Sequence, residues 1–388
     1  MKICFVTPFL YEPPRKKVGV FELAKNLCRY TTHKVYALSS QIEGAPSYEL
    51  VDGVEIFRVK PLLYRRRVPY VVSPTYLSTL LNTIRKCKID IVHAMETIFL
   101  ETAFAALVKK ALNKPLVISL LGALQSEPRM RLHSYKTLYD RTVATSIVRY
   151  ADKIVVISDA LRARAEAYGI PAEKIQKIPH GIDVEKFSFS QPSNLRSLRQ
   201  KHGISESDIV VTFTGRLFPV KGLDFLMDAA AEIIAEVPNI RFIIAGEGPQ
   251  EEYLKRRARI MGTDAFKFVG FVKEIPELLG ISDIFLLPSL SEGLPQSILE
   301  AMAAGLPVVA TEAGGTVELV RHNETGILIS PRDPCELKEA VVKLALEDEL
   351  RVKLGECGRR FVADNFSWKN VVKEWDRMYE SLAKSQAG

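Results

Sequence analysis

Short runs of apolar residues alternate with longer stretches of helical spacing along the chain, and this pattern predicts an α/β protein. The run Lys2–Val6 is typical of a buried strand, and apolar residues at positions 20, 23, 24 and 27 form one face of a following helix. The alternation starts again at Ile209–Thr214. Because strands that alternate with helices form parallel sheets, we expect two doubly wound, Rossmann-like domains that face each other across a cleft.

One stretch in the second half of the chain carries the strongest functional signal. The apolar run Asp283–Leu287 predicts a strand, Glu292–Pro295 a tight loop and Gln296–Ala304 a helix. A loop at the carboxyl end of a strand is where open α/β sheets bind ligands, and a helix N-terminus favours an anion. Since like charges repel, Glu292 and Glu300 fit better as acceptors for hydroxyls attached to that anion. This pattern predicts a sugar nucleotide site.

Glu292 and Glu300, with seven residues between them, resemble the E-x7-E signature of the retaining GT-B glycosyltransferases of group 1 (glycosyltransferase family 4). The resemblance implies a GT-B fold in which Glu300 holds the nucleotide ribose and Glu292 lies beside the donor sugar. The alternative is that Glu292 caps a helix and Glu300 is a solvated helix residue.

The segment Gly215–Gly222 supplies two cations. Arg216 and Lys221 lie five residues apart in a loop that follows a predicted strand, so both can converge on a diphosphate. In the family the matching arginine and lysine neutralise the leaving diphosphate. The alternative is that both are exposed loop cations.

Further donor-binding residues are expected in the glycine-rich loops, by position or by resemblance. Backbone amides of the loop around Gly293 and the Thr316 hydroxyl are placed to meet phosphate. Phe271 follows a strand that resembles the one whose backbone reads the nucleobase. The expected donor-binding set is Glu300, Gly293, Leu294, Pro295, Gly215, Phe271, Gly19 and Thr316.

The first half departs from the family pattern at two points. Only Gly19 remains of a glycine pair that approaches the donor phosphates, so Gly19 is either a ligand-loop residue or a helix-entry glycine. Leu121 stands before Gly122, where many members have a histidine that contacts the donor sugar. Gly122 and His93, which ends a predicted strand, are candidate sugar or acceptor contacts, although His93 can equally be structural.

The resemblance also implies domain boundaries. We expect an acceptor-side domain over residues 1–187 and a nucleotide-sugar domain over 188–367. Residues 368–388 form a helix that in this fold crosses back to the first domain. Ser188–Ser193 is typical of a linker, Asp52-Gly53 predicts a hairpin turn, and Arg129–Tyr150 has the pattern of a long basic helix.

Charge and cysteine content concern the partners and the compartment. Residues 1–190 carry 29 lysines and arginines against 17 acidic residues, whereas the remainder carries 24 against 29. A basic first half suggests an anionic lipid surface or a lipid-phosphate acceptor as partner. Leu62–Val72 combines three arginines with apolar and aromatic residues, a mixture suited to a membrane surface. There is no nucleic-acid-binding motif. Five cysteines without CxxC spacing, and no run long enough to span a membrane, favour a cytoplasmic protein. The basic first half leaves open a peripheral position at the inner face of the membrane.

The expected activity is that of a hexosyltransferase, with retention of configuration, from a nucleotide diphosphate sugar to a hydroxyl acceptor that is lipid-linked or a glycan. UDP is the favoured nucleotide on family frequency, and Arg216, Lys221 and Glu292 are the expected catalytic residues. No Asp-x-Asp motif is present, so metal independence and no further cofactor are expected. The alternatives are a nucleotide-sugar 2-epimerase of the same architecture, a glycogen-type synthase with a soluble polymer acceptor and a non-catalytic sugar-nucleotide-binding protein.

Overall fold

A computed structural model describes residues 1–8, 10, 19–41, 44–61, 63–64, 71–73, 75–97, 99–121, 145–187 and 192–387. The chain divides into two compact units. The first comprises Met1–Gly181 together with Trp368–Gly388, and the second comprises Ile182–Ser367. The boundary therefore lies between Gly181 and Ile182, whereas the sequence places it after Phe187.

The first unit contains an eight-stranded sheet in the order β10-β9-β8-β7-β1-β2-β4-β3 and a short two-stranded ribbon, β5-β6. Its strands are β1 (Lys2–Val6), β2 (Lys34–Ser40), β3 (Tyr48–Val51), β4 (Val54–Val59), β5 (Leu63–Tyr64), β6 (Val71–Val72), β7 (Ile91–Met95), β8 (Leu116–Leu120), β9 (Lys153–Val156) and β10 (Ile175–Lys177). Its first helices are α1 (Gly19–Tyr30), α2 (Tyr76–Cys87), α3 (Leu100–Leu112), α4 (Thr145–Tyr150) and α5 (Asp159–Ala167), followed by a 3-10 turn at Ala172–Lys174.

The predicted hairpin is confirmed. Strands β3 and β4 pair antiparallel, and Asp52 and Gly53 between them have φ angles of 49° and 85°. Two consecutive residues with positive φ form the tight turn that suits the twist of a hairpin. The other pairs of the large sheet are parallel, as the strand–helix alternation predicts.

The second unit contains a six-stranded sheet in the order β13-β12-β11-β14-β15-β16. Its strands, all paired in parallel, are β11 (Ile209–Thr214), β12 (Ile240–Ala245), β13 (Phe266–Gly270), β14 (Ile284–Leu287), β15 (Val308–Thr311) and β16 (Gly326–Ile329). Its helices are α6 (Pro192–Lys201), α7 (Leu223–Glu236), α8 (Glu251–Ile260), α9 (Ile275–Gly280), α10 (Gln296–Ala303), α11 (Thr316–Leu319), α12 (Pro334–Leu346) and α13 (Asp348–Phe366), with 3-10 turns at Val184–Phe187 and Pro219–Lys221.

The strand order of the second unit reverses between β11 and β14. Successive strands run outward from β11 through β12 to β13 on one side, and from β14 through β15 to β16 on the other. A doubly wound sheet binds ligands at such a switch point, outside the carboxyl ends of the strands. We therefore expect a ligand site at the loops that follow β11 and β14.

The final helix, α14 (Trp368–Ala387), belongs to the first unit. Its residues Trp368, Trp375 and Tyr379 are buried in one hydrophobic cluster with α1 and the central strands. Burial of three large aromatic side chains contributes substantially to stability. This helix therefore forms part of the first unit's core.

Two sequence predictions need qualification. The predicted linker Ser188–Ser193 is partly helical, because Pro192 begins α6 and proline suits a first helical turn; residues 188–191 lie outside the described residues. The long basic helix predicted from Arg129 is described only over Thr145–Tyr150. The segment Arg65–Arg67 also lies outside the described residues.

In the part of the chain that the structure describes, no helix combines the length and apolar character needed to cross a bilayer.

Candidate donor site at the switch point of the second unit

The strand–loop–helix–strand pattern predicted around Glu292 is confirmed. Strand β14 ends at Leu287, helix α10 begins at Gln296, and β15 follows at Val308. Pro295 precedes the helix with φ −70° and ψ 108°, and it makes no side-chain capping bond. The Glu292 carboxylate is bonded to Nζ of Lys221 instead, which does not support the alternative in which Glu292 caps the helix.

The loop after β11 is locked against the loop after β14. Gly222 has φ +69°, and a Cβ there would lie 1.9 Å from the carbonyl oxygen of Pro288. The backbone amide of Leu290 donates to the carbonyl of Val220 over 2.7 Å. Only glycine permits this approach, so the segment with the two cations is held beside the segment with Glu292.

A third loop, after β15, closes on the backbone of Glu292 itself. Gly314 has φ +56°, and a Cβ there would lie 1.9 Å from the Glu292 carbonyl oxygen, which also accepts from the amide of Gly315 over 3.3 Å. The hydroxyl of Thr311 donates to the carbonyl of Ser289. The Glu292 backbone is thereby held against the loop after β15.

A fourth loop, after β12, packs on the loop after β11. Gly246 has φ +138°, and a Cβ there would lie 1.8 Å from the carbonyl oxygen of Gly215. The amide of Leu217 donates to the carbonyl of Glu247 over 2.9 Å. Four loops from four adjacent strands therefore meet at the carboxyl edge of this sheet.

Lys221 and Glu292 form an ion pair at the centre of these loops. Nζ of Lys221 lies 2.6 Å from Oε1 of Glu292, and the two side chains are only 17% and 10% exposed. A buried carboxylate is stable only with a polar partner, and Lys221 provides one. The lysine is therefore not an exposed loop cation.

Arg216 has a different environment from Lys221. It is exposed, and its guanidinium carbon lies 5.2 Å from the centre of the Phe218 ring. A planar guanidinium held over an aromatic face keeps its donor groups available for a planar anion. In this structure the two cations have separate partners, and their predicted convergence on one diphosphate stays a prediction.

Glu300 lies on α10, eight residues after Glu292, and its side chain is buried at 8% exposure. The alternative of a solvated helix residue is therefore wrong. Such low exposure fits a residue that is held in place to accept hydrogen bonds.

Two hydroxyls close to these loops are buried without a partner. Among the described residues, the Oγ1 atom of Thr316 and the Oγ atom of Ser289 accept and donate no hydrogen bond, and the side chains are 1% and 0% exposed. A buried polar atom left unsatisfied costs about 1–3 kcal/mol. Thr316 was predicted from its loop, whereas Ser289 was missed because a serine after a strand has no distinctive pattern.

The remaining predicted donor residues are distributed around the same edge. Leu294 is buried and helps to fix the loop, whereas Phe271, directly after β13, is 56% exposed. Gly270 before it has φ +66°, which turns the chain at the strand's end and leaves the aromatic ring at the surface. An exposed phenyl ring at that position is suited to stacking.

The first unit has a small cavity of about 20 Å³ at the carboxyl edge of its sheet. Gly19, Leu121 and His180 line it, together with Trp368. A Cβ on Gly19 would lie 3.7 Å from Cε1 of His180, an ordinary contact, so the helix-entry role of Gly19 is as well supported as a ligand role. Burial lowers the pKa of His180 to about 4. Gly122 lies outside the described residues.

His93 is a structural residue. Its side chain is fully buried, Nδ1 lies 2.7 Å from the hydroxyl of Tyr379, and Nε2 lies 2.7 Å from the hydroxyl of Ser119. Burial lowers its pKa to about 3. With both ring nitrogens bonded inside the core, His93 has no group left for a sugar, so the predicted sugar or acceptor contact is wrong.

Comparison with known families matches both halves of the chain. Residues 195–361 match the family model "Glycosyl transferases group 1", and residues 17–186 match "Glycosyltransferase Family 4". Putative glycosyltransferase EpsD of Bacillus subtilis is 34% identical over 235 residues, which are 60% of this chain and 61% of that protein. An uncharacterized glycosyltransferase of Methanocaldococcus jannaschii, MJ1607, is 26% identical over 98% of both chains. A GDP-mannose-dependent phosphatidylinositol monomannoside mannosyltransferase of Mycobacterium tuberculosis is 33% identical over 59% of this chain and 63% of that protein.

Solved structures support the same fold. Alr3699/HepE of Anabaena, solved in complex with UDP, superposes with a TM-score of 0.77 at 23% identity, covering 98% of this chain and 100% of that one. Sucrose-phosphate synthase of Thermosynechococcus elongatus gives 0.78 at 20% identity, covering 99% of each chain. These neighbours are GT-B glycosyltransferases. With two Rossmann-like units, matching family models over both halves and the E-x7-E pair at the switch point, the chain belongs to the group 1 glycosyltransferases of family 4, with the GT-B fold.

Proposed function

We propose that this chain is a retaining hexosyltransferase that moves a sugar from a UDP-sugar to a hydroxyl acceptor. The observation that carries the proposal is the meeting of the Lys221–Glu292 pair and four glycine-containing loops at one sheet edge. Buried Glu300 lies on the helix that leaves this edge. Amides and a cation suit a diphosphate, and buried carboxylates suit sugar and ribose hydroxyls.

The chemical step places negative charge on the departing diphosphate oxygen. Preorganised cations and amides stabilise such charge most where water is excluded. Arg216, Lys221 and the backbone amides of the loop around Gly293 serve this role in the proposal. Glu292 orients the donor sugar and steadies positive charge at the anomeric carbon. By likeness to the family, the acceptor attacks from the face that the diphosphate leaves, and the diphosphate takes the acceptor's proton.

The rest of the donor is held by the surrounding loops. In the proposal Glu300 accepts from the ribose hydroxyls, the buried Thr316 hydroxyl donates to a phosphate oxygen, and Phe271 stacks on the nucleobase. Gly215 allows backbone to approach the phosphates. The Oγ1 atom of Thr316 has no hydrogen-bond partner in the structure, and a phosphate oxygen of the bound nucleotide sugar would provide one. This supports the role proposed for Thr316.

The choice of donor and acceptor rests on similar proteins and on the positive charge of the first half of the chain. UDP is the first choice for the nucleotide, and HepE, which has the same fold, was solved in complex with UDP. The name of the mycobacterial relative gives GDP-mannose as its donor and a phosphatidylinositol mannoside as its acceptor, so GDP is the second choice. That name and the basic first half support a lipid-linked acceptor and peripheral contact with an anionic membrane surface.

Metal independence is part of the proposal because the sequence has no Asp-x-Asp motif. Turnover should therefore be unchanged by EDTA. Restoration of an EDTA-inhibited activity by Mg²⁺ or Mn²⁺ would contradict this point.

The proposal is tested by thermal shift and turnover with UDP-, GDP- and ADP-sugars, on the full chain and on Glu300→Ala. We expect one nucleotide class to stabilise the protein and the substitution to abolish the shift. Glu312→Ala, an exposed carboxylate just after β15, is the matched control and should keep it. With an acceptor, the product's anomeric configuration, read by NMR, should equal the donor's. Absence of a shift with every donor would overturn the proposal.

A further inference from the structure

The ion pair at the centre of the candidate site joins two groups that the proposed reaction requires separately. Nζ of Lys221 lies 2.6 Å from Oε1 of Glu292, and both side chains are largely buried. In the proposed function Lys221 contacts the diphosphate and Glu292 contacts the donor sugar. The structure therefore has the two groups in contact with each other, in an arrangement that differs from the one required during transfer.

We propose that Lys221 exchanges partners when the donor binds. The ammonium leaves Glu292 for the diphosphate, and the freed carboxylate accepts hydrogen bonds from the sugar hydroxyls. This inference rests on the proposed function and deepens it. The lysine–glutamate ion pair separates without loss only when an intact nucleotide sugar provides new partners for both groups.

The surrounding backbone confines the exchange to side chains. Gly222 abuts the carbonyl of Pro288, and Gly314 abuts the carbonyl of Glu292, both at distances that a Cβ would not tolerate. The loops that carry the pair are thereby fixed to each other and to the sheet. The lysine has a flexible four-carbon stem, so its ammonium can change partner by rotation without movement of these loops.

Electrostatics give the exchange a direction. A buried carboxylate that loses its cation is strongly destabilised unless other donors replace it. The hydroxyls of a bound sugar are such donors, whereas a nucleoside diphosphate without sugar brings none. Free UDP must therefore separate the pair without compensation, and the product is bound less tightly than the donor. After transfer, the return of Lys221 to Glu292 favours release of UDP.

The test is a double-mutant cycle of UDP affinity, measured by titration calorimetry on the full chain. The four proteins are the unsubstituted chain, Lys221→Met, Glu292→Gln and the double variant. Glu292→Gln removes the charge that UDP must displace, so we expect it to bind UDP at least about tenfold more tightly than the unsubstituted chain. In the Lys221→Met background the same substitution should give a clearly smaller gain, because no pair remains to be broken.

The comparison between backgrounds separates exchange from simple repulsion. An equal gain with and without Lys221 would mean that Glu292 only repels the diphosphate, and no gain would mean that the lysine binds both groups at once; either result overturns the exchange. Glu312→Gln removes an exposed charge near the same edge and should change UDP affinity little. Glu300→Gln should weaken UDP binding whether or not exchange occurs. If no UDP, GDP or ADP binds to any of these proteins, the proposed function itself fails, and the exchange with it.

Discussion

Gly314 lies directly against the carbonyl group of Glu292. A Cβ on this glycine would be 1.9 Å from the carbonyl oxygen, and its φ angle is +56°. The contact ties the loop after β15 to the residue proposed to hold the donor sugar. The position of the Glu292 backbone therefore depends on a residue without a side chain in another loop.

Gly314→Ala should consequently damage both stability and turnover. The added methyl group cannot be accommodated without moving the Glu292 backbone, and the positive φ adds about 1–2 kcal/mol. We expect a lower melting temperature and a large loss of kcat. Gly262→Ala is the matched control, because Gly262 has φ +64° but nothing within 4 Å of an added Cβ. Equal effects of the two substitutions would show that the contact with Glu292 is unimportant.

Arg216→Ala should reduce kcat far more than it weakens donor binding. The exposed guanidinium over Phe218 makes its strongest interaction, in the proposed reaction, with charge that develops as the diphosphate departs. Loss of an interaction made chiefly in the transition state lowers kcat and kcat/KM together, by about 10²-fold or more for a single group. Arg256→Ala, an exposed arginine on α8, serves as the control. Unchanged kcat in Arg216→Ala would contradict the leaving-group role.

Stability should fall as the pH is lowered below about 6.5, the ordinary histidine pKa. Burial lowers the pKa of His93 to about 3, so between these values the unfolded chain binds a proton that the folded chain does not. Stability gained from neutral His93 is present above pH 6.5 and is lost progressively below it, by about 2 kcal/mol at pH 5. His180, with its pKa lowered to about 4, acts in the same direction.

Denaturant unfolding of the full chain at pH 7, 6 and 5 measures this loss. His93→Asn should be less stable at pH 7, because the hydrogen bonds to Tyr379 and Ser119 are disturbed, and its stability should depend less on pH. An unchanged pH dependence in the variant would assign the effect to other groups.

Trp375→Ala should destabilise the first unit. The indole is buried at 4% exposure in the cluster that joins α14 to α1 and the sheet. Truncation of such a side chain costs about 3–5 kcal/mol. Lys373→Ala, exposed on the same helix, should have little effect. Comparable unfolding midpoints for the two variants would show that docking of α14 contributes little to stability.

Local patterns in the sequence determined the elements and much of the candidate site. The apolar run before Pro288, the unbroken helical spacing after Pro295 and the Asp52-Gly53 turn each predicted what the structure contains. These signals are local because periodicity and turn chemistry act over a few neighbouring residues. The E-x7-E spacing was readable for the same reason.

Tertiary structure alone decided which residues meet. Lys221 and Glu292 are 71 residues apart, and His93 and Tyr379 are 286 apart; no periodicity records either pair. The sequence left His93 between a structural and a functional role, and its burial against α14 decided for the first. The unit boundary at Gly181 and the close approach of Gly314 to Glu292 likewise depend on packing between distant segments, which fixes backbone positions that local preference does not specify.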